Sequence, residues 1–129
     1  MTARLTALSA PDAPSPQGGY AQAVQVDAAI RLLFISGQIP VARGGAVPDS
    51  FEAQAELAWE NLQAQLRAAG MTLANLVKVT TFLADRADAA ANRAVRQRVL
   101  RAHAPALTVI ITGIFDTAWK IEIEAIAAA

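Results

Sequence analysis

The sequence predicts an α+β fold in which a mixed β-sheet carries two helices on one face. Two observations lead to this prediction. Two helix patterns each lie between strand patterns, and the elements follow the order ββ(β)–α–β–α–ββ. Two strand–helix–strand connections of the same hand place both helices on one side of a sheet. The chain has 129 residues, and we interpret residues 1–129 as one domain.

The first part of the chain holds short strand patterns separated by turn-forming residues. Residues 4–8 are a candidate edge strand, and the segment 9–19 contains three prolines and two glycines, which favour turns. Apolar residues alternate over 21–27 and run almost continuously over 30–36, and both patterns are typical of strands. Two more prolines and three glycines then predict a long loop over 37–49.

The clearest helix pattern follows this loop. Asp49 and Glu52 have the spacing of a capping box, in which each side chain satisfies a free backbone N–H at the helix start. Apolar residues then recur at steps of four and three, which predicts one buried stripe, and Gly70 provides a stop signal. The stripe consists of Phe51, Ala55, Ala58, Leu62, Leu66 and Ala69.

The second half of the chain continues with a strand, a helix and a strand. β-Branched residues predict a strand over 76–84, and Asp88 is a candidate cap for a helix over about 89–103. Pro105 would end that helix, and an apolar run over 106–114 predicts the next strand.

The last predicted strand, 119–127, carries two carboxylates. Glu122 and Glu124 are two residues apart, so they should project from the same face of the strand. One interpretation is a solvent-facing row. The alternative is that one carboxylate faces a pocket, where it donates a proton or positions water. Tyr20 and Ser36 could supply the neutral hydroxyl groups of such a pocket.

The composition argues against several classes of function. The formal net charge is zero, which argues against a general footprint for nucleic acid or an anionic membrane. The chain has no cysteine, and His103 is its only histidine, so one chain offers neither a thiolate ligand nor a two-histidine metal site. No segment approaches about 18 uninterrupted apolar residues, and the N-terminus lacks a signal-peptide core. We therefore expect a cytoplasmic protein with no membrane partner.

Four arginines are concentrated in the second predicted helix. We expect them to form a solvated face, with the intervening apolar residues facing the sheet. The alternative is an RNA or phosphate surface, but no aromatic residues interleave for base stacking, so nucleic acid is a disfavoured partner. The arginines are Arg93, Arg96, Arg98 and Arg101, and the apolar residues are Ala94, Val95, Val99 and Ala102.

Four segments occur together in a specific order and spacing. They are GGYAQAV (18–24), FISGQIP (34–40), NLQAQLRAAGMTLANLVKVTTFLAD (61–85) and KIEIEAIA (120–127). Together they resemble the Rid family of reactive intermediate deaminases, also called YjgF-like or L-PSP proteins. The resemblance implies a chorismate-mutase-like α+β fold and a homotrimer with ligand clefts between subunits. It also implies hydrolysis of enamines and imines, such as 2-aminoacrylate, to a keto acid and ammonia without a metal or organic cofactor.

The resemblance also implies a set of site residues. Tyr20 and Ser36 match the tyrosine and serine that line the family's cleft, and Gly37 follows the serine in the same motif. Glu122 matches the glutamate thought to position the attacking water. An asparagine is usual early in the second helix, and either Asn92 or the position of Arg93 corresponds to it, depending on the register.

The match fails at one position, which active members of the family use to bind the substrate carboxylate. Their arginine lies in a Pro–Ala–Arg–Ser motif, and here Leu107 stands in its place, followed by Thr108. A guanidinium binds a carboxylate through two charge-assisted hydrogen bonds, so its loss weakens binding by about 10- to 100-fold. Trp119 could add to an apolar cleft or could simply pack. An arginine from another segment or subunit, such as Arg93, could replace the missing one.

Three functions remain open at this point. The first is an enamine or imine deaminase with a substrate other than 2-aminoacrylate, in which Glu122 directs water. The second is a non-catalytic trimer that binds a small metabolite. The third is a ribonuclease or translation inhibitor, a role attached to some relatives, which the neutral charge and the lack of a candidate catalytic histidine disfavour.

Overall fold

The computed structural model describes residues 3–129 and contains six strands, two α-helices and two short 3-10 helices (Leu73–Asn75 and Arg86–Asp88) over that range. Residues 1 and 2 of the predicted domain lie outside the described residues. The predicted α+β order of elements is confirmed. The elements are β1 (Arg4–Leu8), β2 (Ala23–Asp27), β3 (Leu32–Gln38), α1 (Phe51–Ala68), β4 (Leu76–Leu83), α2 (Ala89–Leu100), β5 (Ala106–Ile111) and β6 (Ile121–Ala128).

The main sheet has four strands in the order β3–β6–β4–β5. β4 and β5 are parallel and the other pairs are antiparallel, so the sheet is mixed as predicted. β1 and β2 form a separate antiparallel pair, so the single sheet implied by the predicted order is wrong for these two strands. Their side chains are mostly exposed and offer the core little apolar surface.

The loop before β2 is nevertheless attached to the main sheet. Ala21 forms an isolated parallel bridge with Ala106, and the Ala21 N–H donates to the Pro105 carbonyl at 3.0 Å. This attachment places Tyr20, the next residue towards the N-terminus, beside the start of β5.

The hydrophobic core lies between the main sheet and the two helices. The apolar stripe predicted for α1 is buried except at Ala69, which is partly buried, and it packs with Ile121 and Ile123 of β6, both fully buried. α2 contributes Val95 and Leu100 to the same core. The opposite face of the sheet, here called the open face, has no helix over it in this chain, and Phe34 of β3 is 70% exposed there. The strand register assigns Thr80, Phe82, Glu122 and Glu124 to the open face as well.

The start of α1 differs from the prediction. The Ser50 side chain caps the helix by accepting a hydrogen bond from the Ala53 N–H at 3.2 Å. The predicted capping box of Asp49 and Glu52 is therefore wrong, because the residue that directly precedes the first helical position is Ser50. Gly70 follows the helix as predicted, with a φ of +70° that glycine adopts without a Cβ penalty.

The second helix is shorter than predicted. It ends at Leu100, and the backbone then turns at Arg101, which has a φ of 55°. His103 consequently lies beyond the helix, and its Nε2 donates to the Leu76 carbonyl of β4 at 2.8 Å. Asp88 stands at the N-cap position without a side-chain cap hydrogen bond. Within residues 3–129, no helix is long and apolar enough to cross a membrane.

Candidate functional site

The two carboxylates of β6 project from the open face. Glu122 lies opposite Phe82 and Glu124 opposite Thr80 in the pairing with β4, which confirms that they share one face. Their surroundings differ, because Glu122 is half-buried and Glu124 is exposed. Glu122 borders a cleft of about 300 Å³, here called the glutamate cleft, which is also lined by Phe82, Thr112, Gly113, Ile114 and Phe115.

Gly37 of β3 lies directly against Glu122. A Cβ added at Gly37 would overlap the Glu122 carboxylate and would lie 2.8 Å from its Cδ. The pairing between β3 and β6 is irregular between Ile35 and Gln38, where this close approach occurs. Ser36 precedes Gly37 and is exposed. The structure therefore brings Gly37 and Glu122 together, with Ser36 next to them in the chain.

A second cleft of about 300 Å³ lies where the loop before β2 meets α2 and β5. Leu107 contributes to it from the helix side of the sheet, because it pairs with the buried Val79 and packs against the core. The Tyr20 hydroxyl, near the same cleft, accepts a hydrogen bond from the Gln17 N–H at 3.1 Å. This second cleft, here called the arginine cleft, is lined by Tyr20, Gln22, Arg93, Arg96, Leu107 and Val109.

Arg96 contradicts the expectation of a solvated arginine face. Its residue exposure is only 4%, and its Nε has no hydrogen-bond partner among the residues described. A Cβ added at Gly19 would lie 3.7 Å from an Arg96 Nη, so the loop before β2 packs over this side chain. Burial, followed by the positive charge of Arg93, lowers the pKa of Arg96, whereas Tyr20 raises it.

The sequence contained a signal for the burial of Arg96. Arg96 lies three residues before Val99 and four before Leu100, a helical spacing that places it on the same stripe as these apolar residues. Arg98, in contrast, forms exposed ion pairs with Glu56 at 2.7 Å and with Glu52 at 3.2 Å. Ala94 and Ala102, which we expected to face the sheet, are exposed. The buried stripe consists of Asn92, Val95, Arg96 and Leu100.

Three other predicted site residues line neither cleft in the part of the chain that the structure describes. Asn92 is buried in α2. Thr108 lies opposite Thr80 on the open face, and its Oγ1 accepts a hydrogen bond from Lys78 Nζ at 2.6 Å. Trp119 precedes β6, with its ring centroid 6.5 Å from that of Phe115. Across residues 3–129, no group of three or more histidine, aspartate or glutamate side chains is arranged to hold a metal ion.

Gln54 of α1 is a positioning residue that the sequence did not single out. It is buried, and its Nε2 donates to the carbonyls of Pro48 at 2.9 Å and Ala118 at 3.0 Å. Its Oε1 accepts from the Lys120 N–H at 2.7 Å. The bonds to Ala118 and Lys120 fix the backbone just before β6, and they therefore help to set the position of Glu122.

The two clefts lie on opposite faces of the main sheet within one chain. Glu122 projects from the open face, whereas Leu107 projects from the face that the helices cover. A single chain therefore does not bring the Glu122 carboxylate and the two arginines into one cleft.

Known proteins resemble this chain over almost its whole length. A family model described as Endoribonuclease L-PSP matches residues 10–129. Protein DfrA of Myxococcus xanthus is 39% identical over 123 residues, which cover 94% of this chain and 93% of DfrA. The 2-iminobutanoate/2-iminopropanoate deaminase of Mus musculus is 35% identical over 122 residues, 93% of this chain and 88% of that protein. The structure of YyfB from Yersinia pestis, a Rid-family protein of unknown function, matches with a TM-score of 0.82, 26% identity and 100% coverage of both chains.

Proposed function

Because the chain belongs to the L-PSP family, also known as the Rid or YjgF family, we propose that it hydrolyses reactive enamines or imines to carbonyl compounds and ammonia. The observation that carries the proposal is the half-buried Glu122 carboxylate, held against Gly37 at the edge of the glutamate cleft. The deaminase name of the murine relative supports the class of reaction.

In the proposed mechanism, Glu122 accepts a hydrogen bond from a water molecule and directs its oxygen at the C=N carbon. Glu122 takes one proton from the water as the new C–O bond forms and the C=N electron pair moves to nitrogen, and this proton passes to the nitrogen to give a carbinolamine. Glu122 then moves the hydroxyl proton of the carbinolamine to the same nitrogen. The carbonyl group forms as the C–N bond breaks, and ammonia leaves. Water is the only co-reactant, and the atoms balance.

We propose that the working form is a homotrimer in which each ligand cleft lies between two subunits. Large apolar side chains are exposed on or near the open face, with Phe34 at 70% and Phe115 at 95% exposure. A second copy of the chain would cover these side chains. The glutamate cleft of one subunit would then meet the arginine cleft of its neighbour, which supplies both parts of a site for a small charged imine.

The proposed substrate differs from 2-aminoacrylate because Leu107 brings no guanidinium from β5. Leu107 and Val109 give the arginine cleft an apolar wall instead. Such a wall favours imino acids with a larger apolar side chain, since buried apolar surface contributes to binding in proportion to its area.

The proposal is tested with imines that an amino-acid oxidase generates from a panel of apolar amino acids. The wild-type chain should accelerate imine decay and ammonia release, more strongly for the larger imines than for 2-aminoacrylate. Glu122→Gln should lower the rate by about 100-fold or more, the range expected for a lost general base. Glu124→Gln should leave it unchanged, because Glu124 is exposed on the same strand and face.

The other two functions give different results in the same series. Saturable binding of the keto-acid products, with no acceleration for any imine, would indicate a non-catalytic metabolite-binding protein. RNA cleavage that survives purification and is lost in Glu122→Gln would instead support a ribonuclease. Either result would overturn the proposed deaminase activity.

A further inference from the structure

The arginine cleft contains two positive charges and no negative one. Arg93 and Arg96 both line it, whereas the other lining residues are Tyr20, Gln22, Leu107 and Val109. The salt bridges found among residues 3–129 involve Arg4 and Arg98, and neither Arg93 nor Arg96 takes part in one. The positive charge of this cleft is therefore not neutralised from within the described part of the chain.

Arg96 has the features of a ligand-binding arginine and not of a packing one. Its side chain is almost fully buried, yet its Nε lacks a hydrogen-bond partner among the residues described. A buried donor without an acceptor is costly and is uncommon in folded proteins. Arg98, two residues further along α2, instead pairs with two carboxylates at the surface, Glu52 and Glu56.

The surroundings of Arg96 also favour an incoming anion. The positive charge of Arg93 repels that of Arg96, and the burial of Arg96 removes solvent that would screen this repulsion. Arg96 nevertheless stays protonated, because a guanidinium loses its proton only far above neutral pH. A bound anion would relieve the repulsion between the two arginines.

We propose that Arg96, assisted by Arg93, binds the carboxylate of a small imino or keto acid in the arginine cleft. α2 thereby supplies the charge that Leu107 of β5 does not. A guanidinium presents paired N–H donors, which match the two oxygens of a carboxylate. The carbon chain of the acid lies against Leu107 and Val109. The identity of the acid rests on the proposed function, whereas the anion site rests on the geometry alone.

Binding of 2-oxobutanoate to the full chain, measured by isothermal titration calorimetry, tests the inference. Arg96→Gln should weaken the affinity by about 10- to 100-fold, as expected for a lost charge-assisted pair. Arg98→Gln is the matched control on the same helix, and it should bind as the wild type does. Butanone, which lacks the carboxylate, should not bind measurably. Wild-type affinity in Arg96→Gln, or equal binding of butanone, would overturn the inference.

Two further variants keep the test valid if Arg96→Gln folds poorly. Arg96→Lys keeps the positive charge but loses the paired donors, so it should bind 2-oxobutanoate less tightly than the wild type. The double variant Arg96→Gln/Leu107→Arg returns a guanidinium to β5 and should regain affinity relative to Arg96→Gln. Wild-type affinity in Arg96→Lys, or no recovery in a folded double variant, would contradict the carboxylate role.

The remaining measurements separate this inference from the proposed function. Glu122→Gln should retain 2-oxobutanoate affinity while it loses turnover. Arg96-dependent binding in a protein that hydrolyses no imine would support the anion site and reject the deaminase. Imine turnover with Arg96-independent binding would reject the anion site only. Inorganic phosphate that binds as tightly as 2-oxobutanoate would overturn the assignment to a carboxylate.

Discussion

At the scale of single residues, the contact between Gly37 and Glu122 links the fold to the proposed chemistry. Any side chain at position 37 would occupy the space of the Glu122 carboxylate. The carboxylate would then have to turn away from the glutamate cleft, or β3 would have to move away from β6. The glycine is therefore a condition for the orientation of the proposed water-directing group.

Gly37→Ala should lower imine hydrolysis by about 100-fold, because the methyl group displaces the general base. The measurement is the rate of ammonia release from the best imine of the panel. Gly44→Ala is the control, since a Cβ at Gly44 meets no atom within 4 Å. Wild-type activity in Gly37→Ala would show that the position of the Glu122 carboxylate does not limit the reaction.

The orientation of a side chain was predicted correctly from the sequence where it depends on a single strand or helix. The shared face of Glu122 and Glu124 follows from the two-residue period of a strand, and the structure confirms it. The burial of Arg96 depends also on the loop that packs over it near Gly19. That loop is distant in sequence, so the helical spacing of α2 alone left the side chain open to a solvated interpretation.

At the scale of elements, the cap of α1 gives a direct test of the local structure. Ser50→Ala should lower the free energy of unfolding by about 1 kcal/mol, because the Ala53 N–H loses its acceptor. Asp49→Ala is the matched control and should change stability little. Chemical denaturation of both variants provides the measurement. A larger loss of stability in Asp49→Ala than in Ser50→Ala would instead support the capping box predicted from the sequence.

Gln54 connects α1 to the segment before β6 and should contribute more to the stability of the fold than the Ser50 cap does. Gln54→Leu keeps a similar volume but leaves the Ala118 carbonyl and the Lys120 N–H without their side-chain partner. We expect a loss of about 2–4 kcal/mol in the free energy of unfolding, because each buried unpaired group costs about 1–3 kcal/mol. Gln65→Leu, at an exposed position of the same helix, is the control. Equal stability of the two variants would contradict this role.

Most helices and strands were predictable because their periodic patterns are long. The ends of these helices and strands were harder to predict, because they depend on single side chains and on backbone turns such as the one at Arg101. The pairing of β1 with β2 was also missed. Nothing in two short, mostly exposed strands distinguishes pairing with each other from pairing with the main sheet.

At the scale of the whole molecule, the open face should be the contact between subunits. Phe34→Glu should weaken the proposed trimer, because a charge would replace an aromatic side chain that the proposed neighbouring subunit would cover. Sedimentation velocity at several concentrations measures the effect. Ala64→Glu, at an exposed position of α1, should leave assembly unchanged. A Phe34→Glu protein that sediments like the wild type would place the contact elsewhere.

The arrangement of the complete site was beyond the reach of one sequence. The family resemblance grouped Tyr20, Leu107 and Glu122 in one cleft, whereas a single chain places Glu122 and Leu107 on opposite faces of the sheet. A shared site would require the geometry of an interface, which the periodicity of one chain does not encode. The proposed trimer resolves this difference by joining the glutamate cleft of one subunit to the arginine cleft of another.

Subunit mixing tests this central claim most directly. Glu122→Gln and Arg96→Gln subunits, each nearly inactive alone, are unfolded, mixed in equal amounts and refolded together, and imine hydrolysis is measured. If each site combines Glu122 of one subunit with Arg96 of the next, about a quarter of the sites in randomly mixed rings should carry both intact groups. We therefore predict recovery of about a quarter of wild-type activity. A refolded mixture that stays as inactive as its two parents would contradict the account.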